Sequence, residues 1–150
     1  MTWRRPIPWR DEDGSTLPLI IFFATLSLAL ILLVVSATSL YLERKRLYTL
    51  ADGASLVGAE AFDVDGTARP IGNPIPKLKS KDVAAAVSSY LHGNPSDEFT
   101  ALHVDRAVST DGRSATVELS CYWSPPILSL LVPKGLRINV TSIARSVFSP

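Results

Sequence analysis

Hydrophobic and polar positions divide the chain into an apolar block, a stretch of helical period and a stretch of period two. From Leu17 to Leu42 there are 26 consecutive positions without a charged side chain, LPLIIFFATLSLALILLVVSATSLYL. A bilayer core about 30 Å thick takes roughly 20 apolar helical residues to cross, so the block predicts a helix that spans with tilt to spare. The competing reading is a buried core helix, and such helices rarely stay uncharged beyond ~14 residues. Trp3 and Trp9 precede the block, and Tyr41 and Tyr48 stand at its exit. Rings of this kind favour the lipid headgroup zone. Pro18 falls in the expected first turn, with Ser15 or Thr16 available as its cap.

Helical period continues past the block. Leu47, Leu50, Ala51, Ala54, Val57, Gly58 and Ala61 recur at three- and four-residue steps, which predicts an amphipathic continuation over 43–62. No proline interrupts the chain between Pro18 and Pro70, so one helix over about 17–62 is expected. Ala54 lies in the apolar stripe, and Ser55 is placed on the opposite, water-facing side. Gly53 and Gly58 each cost about 1 kcal/mol of helix propensity relative to Ala. Packing that simply tolerates them is the favoured reading; a close helix–helix seam is the alternative.

Residues 63–79 are punctuated by Gly and Pro and are expected to be loop. Ser80 is the expected cap of a second helix, with Val83, Ala84, Val87, Tyr90 and Leu91 at helical spacing and Gly93-Asn94-Pro95 as its stop. The period then changes to two. Leu102, Val104 and Val108 form one alternating run, Ala115, Val117, Leu119 and Cys121 a second, and Thr110-Asp111-Gly112 between them is a hairpin signal. Trp123-Ser124-Pro125-Pro126 stops the second run, Ile127–Val132 is a short apolar run of open type, and Arg137–Phe148 is expected to be a third strand with Ile138 and Val140 inward, antiparallel to the second. The predicted fold is α+β: a long N-terminal transmembrane helix continuing into a small domain with a second helix and an antiparallel sheet of about three strands. The expected divisions are a short cytoplasmic tail (1–16), the transmembrane helix (17–42), its extension (43–62) and an extracytoplasmic α+β domain (63–150).

Charge adds little to this picture. The 150 residues carry a net charge of +1, and no basic patch stands out beyond Arg44-Lys45-Arg46, which suits lipid headgroups better than nucleic acid. Arg4, Arg5 and Arg10 before the block nearly balance the three cations after it, so charge alone does not orient the span. Long domains translocate largely regardless of charge, which favours a short tail inside and the domain outside. Val35-Ser36-Ala37 would suit a signal-peptide cleavage site, and a cleaved signal is the alternative. Against it, a signal core is about 7–15 residues long, and Asp11-Glu12-Asp13 spoils the positive segment that should precede one.

Candidate chemistry is sparse. His92 and His103 have no Cys or carboxylate cluster at ligand spacing. Cys121, the single cysteine, falls on the apolar side of a strand, where an inert thiol is expected, and its role stays open. Asp63-Val64-Asp65-Gly66 resembles the first positions of a calcium loop but lacks the later acidic ones, so a solvated turn is expected. No phosphate loop or GxSxG is present. No catalytic residue, metal, cofactor, nucleic acid or small-molecule substrate is expected.

The residues from Asp11 to Phe62 resemble the N-terminal module of the TadE/TadG-like family, pilin-like accessory proteins of the Flp (tight-adherence) pilus. The likeness rests on the acidic entry Asp11-Glu12-Asp13-Gly14-Ser15, the single span, the basic exit Arg44-Lys45-Arg46-Leu47 and, above all, Leu50-Ala51-Asp52-Gly53-Ala54-Ser55-Leu56-Val57-Gly58-Ala59. The family-motif positions are Leu47, Leu50, Ala51, Asp52, Ala54, Leu56 and Ala59. Tyr48 stands where members commonly have Gln, and Gly53 where they have Ala. Prepilin-type cleavage after Gly14 would normally leave a glutamate five residues into the mature chain; Leu19 occupies that position, so residues 1–14 are expected to be retained. The resemblance implies that the small α+β domain is pilin-like and that the chain is a membrane-anchored structural protein of a pilus or secretion assembly, with other assembly subunits and the bilayer as partners. The alternative is a single-pass protein with an exported binding or sensor domain. A membrane-tethered enzyme is the least favoured class.

Overall fold

The computed structural model describes residues 16–62, 77–94, 98–124 and 135–145. Its elements are α1 (Leu17–Glu60), α2 (Ser80–Gly93), β1 (Thr100–Val108), β2 (Ser114–Trp123) and β3 (Leu136–Arg145), an α+β fold. The chain divides into two compact units, residues 1–35 and 36–150.

In the first unit α1 begins at Leu17, with the Ile20 amide bonded to the Thr16 carbonyl at 3.0 Å. Its large apolar side chains face outward, Phe22, Phe23, Leu28 and Leu33 among them. Thr25 returns its hydroxyl to the Ile21 carbonyl at 2.8 Å, which satisfies it without water. Among the described residues α1 is the one helix long and apolar enough to cross a membrane. A stripe buried against protein would leave its opposite side polar; here apolar side chains point out all round, as a lipid-facing helix requires.

In the second unit β2 is the central strand of the antiparallel order β1-β2-β3. The third strand is therefore antiparallel to the second, as the alternation predicts, with Ser114 opposite Arg145 and Trp123 opposite Leu136. The β1–β2 turn contains Gly112 at φ +70°, a conformation that the glycine makes inexpensive. Ala115, Val117, Leu119, Cys121 and Trp123 of β2 and Ile138, Val140 and Ala144 of β3 face one core. The core is closed by Leu47, Ala51, Ala54 and Ala59 of α1 and Val83 and Val87 of α2. Burying a Leu or Val of this kind stabilises the fold by about 1.5–3 kcal/mol.

Element ends differ from the sequence expectation in instructive ways. α1 stops at Glu60, and Phe62 turns back through a 2.9 Å bond to the Glu60 carbonyl. Ser80 lies inside α2, and Lys79 is its extended N-cap. The Ser80 hydroxyl is instead spent on Ser109, donating to its carbonyl and accepting from its amide, both at 3.0 Å, which ties α2 to the end of β1. The stop of α2 is Asn94 rather than a left-handed glycine: its amide and its side chain both donate to the Tyr90 carbonyl, at 3.0 and 2.8 Å. The expected turn at Asp63–Gly66 and the apolar run Ile127–Val132 lie outside the described residues, as does the expected end of the third strand beyond Arg145.

Candidate functional site

The motif-bearing half of α1 is where sequence likeness and tertiary structure meet. Its buried residues are Leu47, Ala51, Ala54, Ser55, Gly58 and Ala59. Leu50 and Asp52 are half-buried, and Leu56 is exposed. The motif is therefore not one face: Leu47, Ala51, Ala54 and Ala59 serve the domain's own core, whereas Leu56 points away from it. The buried face is also rotated from the one the apolar pattern suggests. Ser55, placed toward water by the helical wheel, is buried.

A hydrogen-bond lock explains that burial. Ser142, in an inward position of β3, donates its hydroxyl to Asp52 Oδ1. The Ser55 and Ser142 hydroxyl oxygens lie 3.0 Å apart, and Ser55 also donates to the Asp52 carbonyl at 2.9 Å. Two buried hydroxyls and one carboxylate thus satisfy one another across the helix–sheet junction, which removes the desolvation cost that each would otherwise carry. Sequence reasoning named Asp52 but missed Ser142. Its signal was a polar residue in an inward slot of an otherwise apolar alternation, Ile138, Val140, Ser142, Ala144.

The glycines settle the question left open above, in favour of the close seam. A Cβ at Gly58 would meet Val83 at 3.1 Å, Ala115 at 3.3 Å and Val87 at 3.4 Å, so α1, α2 and β2 converge on this point. A Cβ at Gly53 would run into the Tyr90 ring, with Cζ at 2.9 Å. The small residues bring the chain's own second helix onto the first.

The outer face of the sheet carries a polar cluster that sequence reasoning did not assemble. His103 Nδ1 is 3.1 Å from Asp105 Oδ1, and Arg137 Nη2 donates to both oxygens of Asp105, at 2.7 and 2.9 Å, and to Ser120 Oγ at 3.1 Å. The Ser120 hydroxyl, then His103 and the Arg137 guanidinium, hold the Asp105 carboxyl below its ordinary range against an opposing contribution from burial. Ser, His and Asp come together here, but in an arrangement unlike that of a hydrolase. Ser120 and His103 each bond to Asp105, with Arg137 neutralising the carboxylate, so nothing in the network makes Ser120 a nucleophile. Cys121 faces inward; burial first, then the Glu43 carboxylate, push its thiol above its usual value, which disfavours the reactive thiolate. Among the described residues no three His, Cys, Asp or Glu side chains group as metal ligands. His92 is at the end of α2, its Nδ1 2.6 Å from the Ser88 carbonyl oxygen.

In the β1–β2 turn, Asp111 accepts from the Ser114 hydroxyl and from the amides of Arg113 and Ser114. These bonds, the Ser114 hydroxyl foremost, hold its carboxyl far below the ordinary value of 3.8. A lowered folded-state value means that protonation favours the unfolded chain. The contribution is complete above the unfolded value and is lost as pH falls toward the folded one. Thermal melts of the full chain between neutral and strongly acidic pH should accordingly show a shallower acid decline for Asp111→Ala than for the parent. Parallel curves would mean that the turn bonds contribute nothing.

Residues 14–61 match the family model Tad, described as "Putative Flp pilus-assembly TadE/G-like". The Tad match covers the apolar block and the motif helix and ends one residue past α1. It therefore includes Asp52 and Ser55 but not their partner Ser142, and none of α2 or the sheet lies within it. No curated protein and no solved structure matches the chain. Involvement in Flp pilus assembly is what the Tad match suggests, and a structural role is what that family implies.

Proposed function

We propose that this chain is a pilin-like accessory subunit of a Flp/Tad-type pilus or secretion assembly, anchored by one span and structural in its action. The observation that carries the reading is the division of labour along α1. Its first part presents apolar side chains on every side, as retention in lipid requires, and its second part is built into the core of a folded domain; the Tad match spans both. A subunit of this kind is stored in the bilayer and presents a rigid domain to its neighbours. The short tail lies on the cytoplasmic side and the domain outside; other assembly subunits are its partners.

Two measurements in the source organism test this. Deletion of the gene should abolish or sharply reduce surface pili counted by electron microscopy, with recovery on complementation; undiminished piliation would sink the reading. An impermeant thiol reagent should label Thr110→Cys, in the exposed β1–β2 turn, on intact cells. Labelling only after lysis would reverse the orientation.

A further inference from the structure

The end of the sheet where β2 stops and β3 starts carries side chains suited to a membrane surface. Trp123, the last residue of β2, donates its indole N–H to Ser39 Oγ at 3.3 Å. Ser39 lies inside the uncharged block, three residues before its end at Leu42. Only roughly 20 residues are needed to cross the hydrocarbon core, so the last turns of a 26-residue block fall in the headgroup zone. The indole bond brings the end of β2 to that level. Leu136, paired with Trp123, is 51% exposed, and Tyr122, Tyr41 and Leu42 are exposed as well. Arg44 and Lys45 follow immediately, exposed and cationic. In sequence, twelve residues from Ser124 to Gly135 separate the two strands, and Lys134 is their single charged side chain.

We infer that this end of the sheet, represented by the exposed Tyr122 and Leu136, is a second lipid contact, seated at the headgroup–acyl boundary of the bilayer that α1 crosses, with the buried Trp123 holding it there. Aromatic rings with one polar atom, an exposed leucine and flanking cations are the side chains that this boundary recognises: rings at the ester level, apolar groups below it and cations at the phosphates. A protein partner would have to occupy the same level, where lipid is already present around the span. The consequence is mechanical. One span alone leaves a domain free to tilt and rotate, and a second contact fixes which face of the sheet is presented to neighbours.

The inference rests on the span reading of α1, and the test separates the two. The full chain is reconstituted in vesicles of phosphatidylcholine and phosphatidylglycerol. Leu28→Cys, Leu136→Cys and Ile143→Cys each carry an environment-sensitive thiol fluorophore. Cys121 is buried, so the unsubstituted chain serves as the blank. Ile143 is 67% exposed and lies seven residues, about 23 Å, along β3 from Leu136. We expect the Leu136 label to be quenched by lipids spin-labelled near the headgroup and shielded several-fold from an aqueous quencher relative to the Ile143 label. The Leu28 label should be quenched by lipids spin-labelled deep in the chain. A Leu136 label as water-accessible as the Ile143 label, with the Leu28 label deep, overturns the second contact and leaves the span intact. A Leu136 label shielded from water but not quenched by lipid means that protein covers it, which also overturns the proposal. A Leu28 label outside lipid overturns the span and the contact together.

Discussion

Ala54→Glu should unfold or severely weaken the extramembrane domain. Ala54 is 0% exposed and belongs to the core shared by α1, α2 and the sheet. A carboxylate there would have no water and no cation, and an uncompensated buried charge costs about 3–5 kcal/mol. Small domains have only about 5–15 kcal/mol of stability in total, so the loss is a large share of it. The contrasting substitution is Leu56→Glu, since Leu56 is 57% exposed two residues away. Surface changes stay within about 0.5 kcal/mol, and the domain should fold normally. Ser55→Glu, harmless on the helical wheel, should instead resemble Ala54→Glu, because Ser55 is packed against Ser142. Urea unfolding followed by circular dichroism in detergent measures all three. Equal tolerance of Ala54→Glu and Leu56→Glu would make this part of α1 a stalk rather than a core element, and the pilin-like reading would fall with it. Leu56→Glu has a second use: a normally folded domain that no longer supports pili would place the subunit-packing surface on the exposed side of the motif helix.

The second large effect concerns the lock between helix and sheet. Ser142→Ala removes the donor to Asp52 Oδ1 and one partner of Ser55. Leaving buried polar atoms unpaired costs about 1–3 kcal/mol, and because Asp52 is half-buried and water can reach it, the lower half of that range is expected. Asp52→Ala should cost a similar amount. The double variant should lose clearly less than the two single losses added together, by about 0.5 kcal/mol or more, because each change removes the same bond. Additive losses in the same urea experiment would mean that the bond contributes nothing beyond packing. The cycle also bears on the Tad match, which contains Asp52 and Ser55 but not Ser142. Strong coupling would mean that in this chain the motif aspartate anchors the domain that follows the helix.

How much of this was legible beforehand depends on the range of the interactions involved. The apolar block, the helix that continues it and the β1–β2 turn at Asp111-Gly112 were readable because each is set by neighbours within a few residues: side-chain hydration, three- and four-residue periodicity, and a glycine where φ is positive. The α+β class and the antiparallel pairing of β3 with β2 followed from the change to period two, since alternation fixes which side chains share a face. The inward position of Cys121 was legible in the same local sense, from the alternation of β2.

Other features needed the third dimension. The buried face of α1 is set by what packs on it, and a wheel drawn from hydrophobicity alone does not foresee that Ser142 will meet Ser55 and Asp52. Ser80 looked like a cap because capping is local; it is bonded to Ser109, 29 residues away, because β1 ends beside it. Gly53 and Gly58 looked merely tolerated because their cost is local and their benefit, room for Tyr90, Val83, Val87 and Ala115, comes from elements distant in sequence. Asp105, Ser120, His103 and Arg137 form one network only because register brings three strands side by side. The sequence by itself determined that this protein has a helix fit to cross a membrane and carries a small α+β domain, since hydration and periodicity act residue by residue. Only the tertiary structure decided which motif residues are core and which are surface, because burial belongs to pairs of segments brought together by folding.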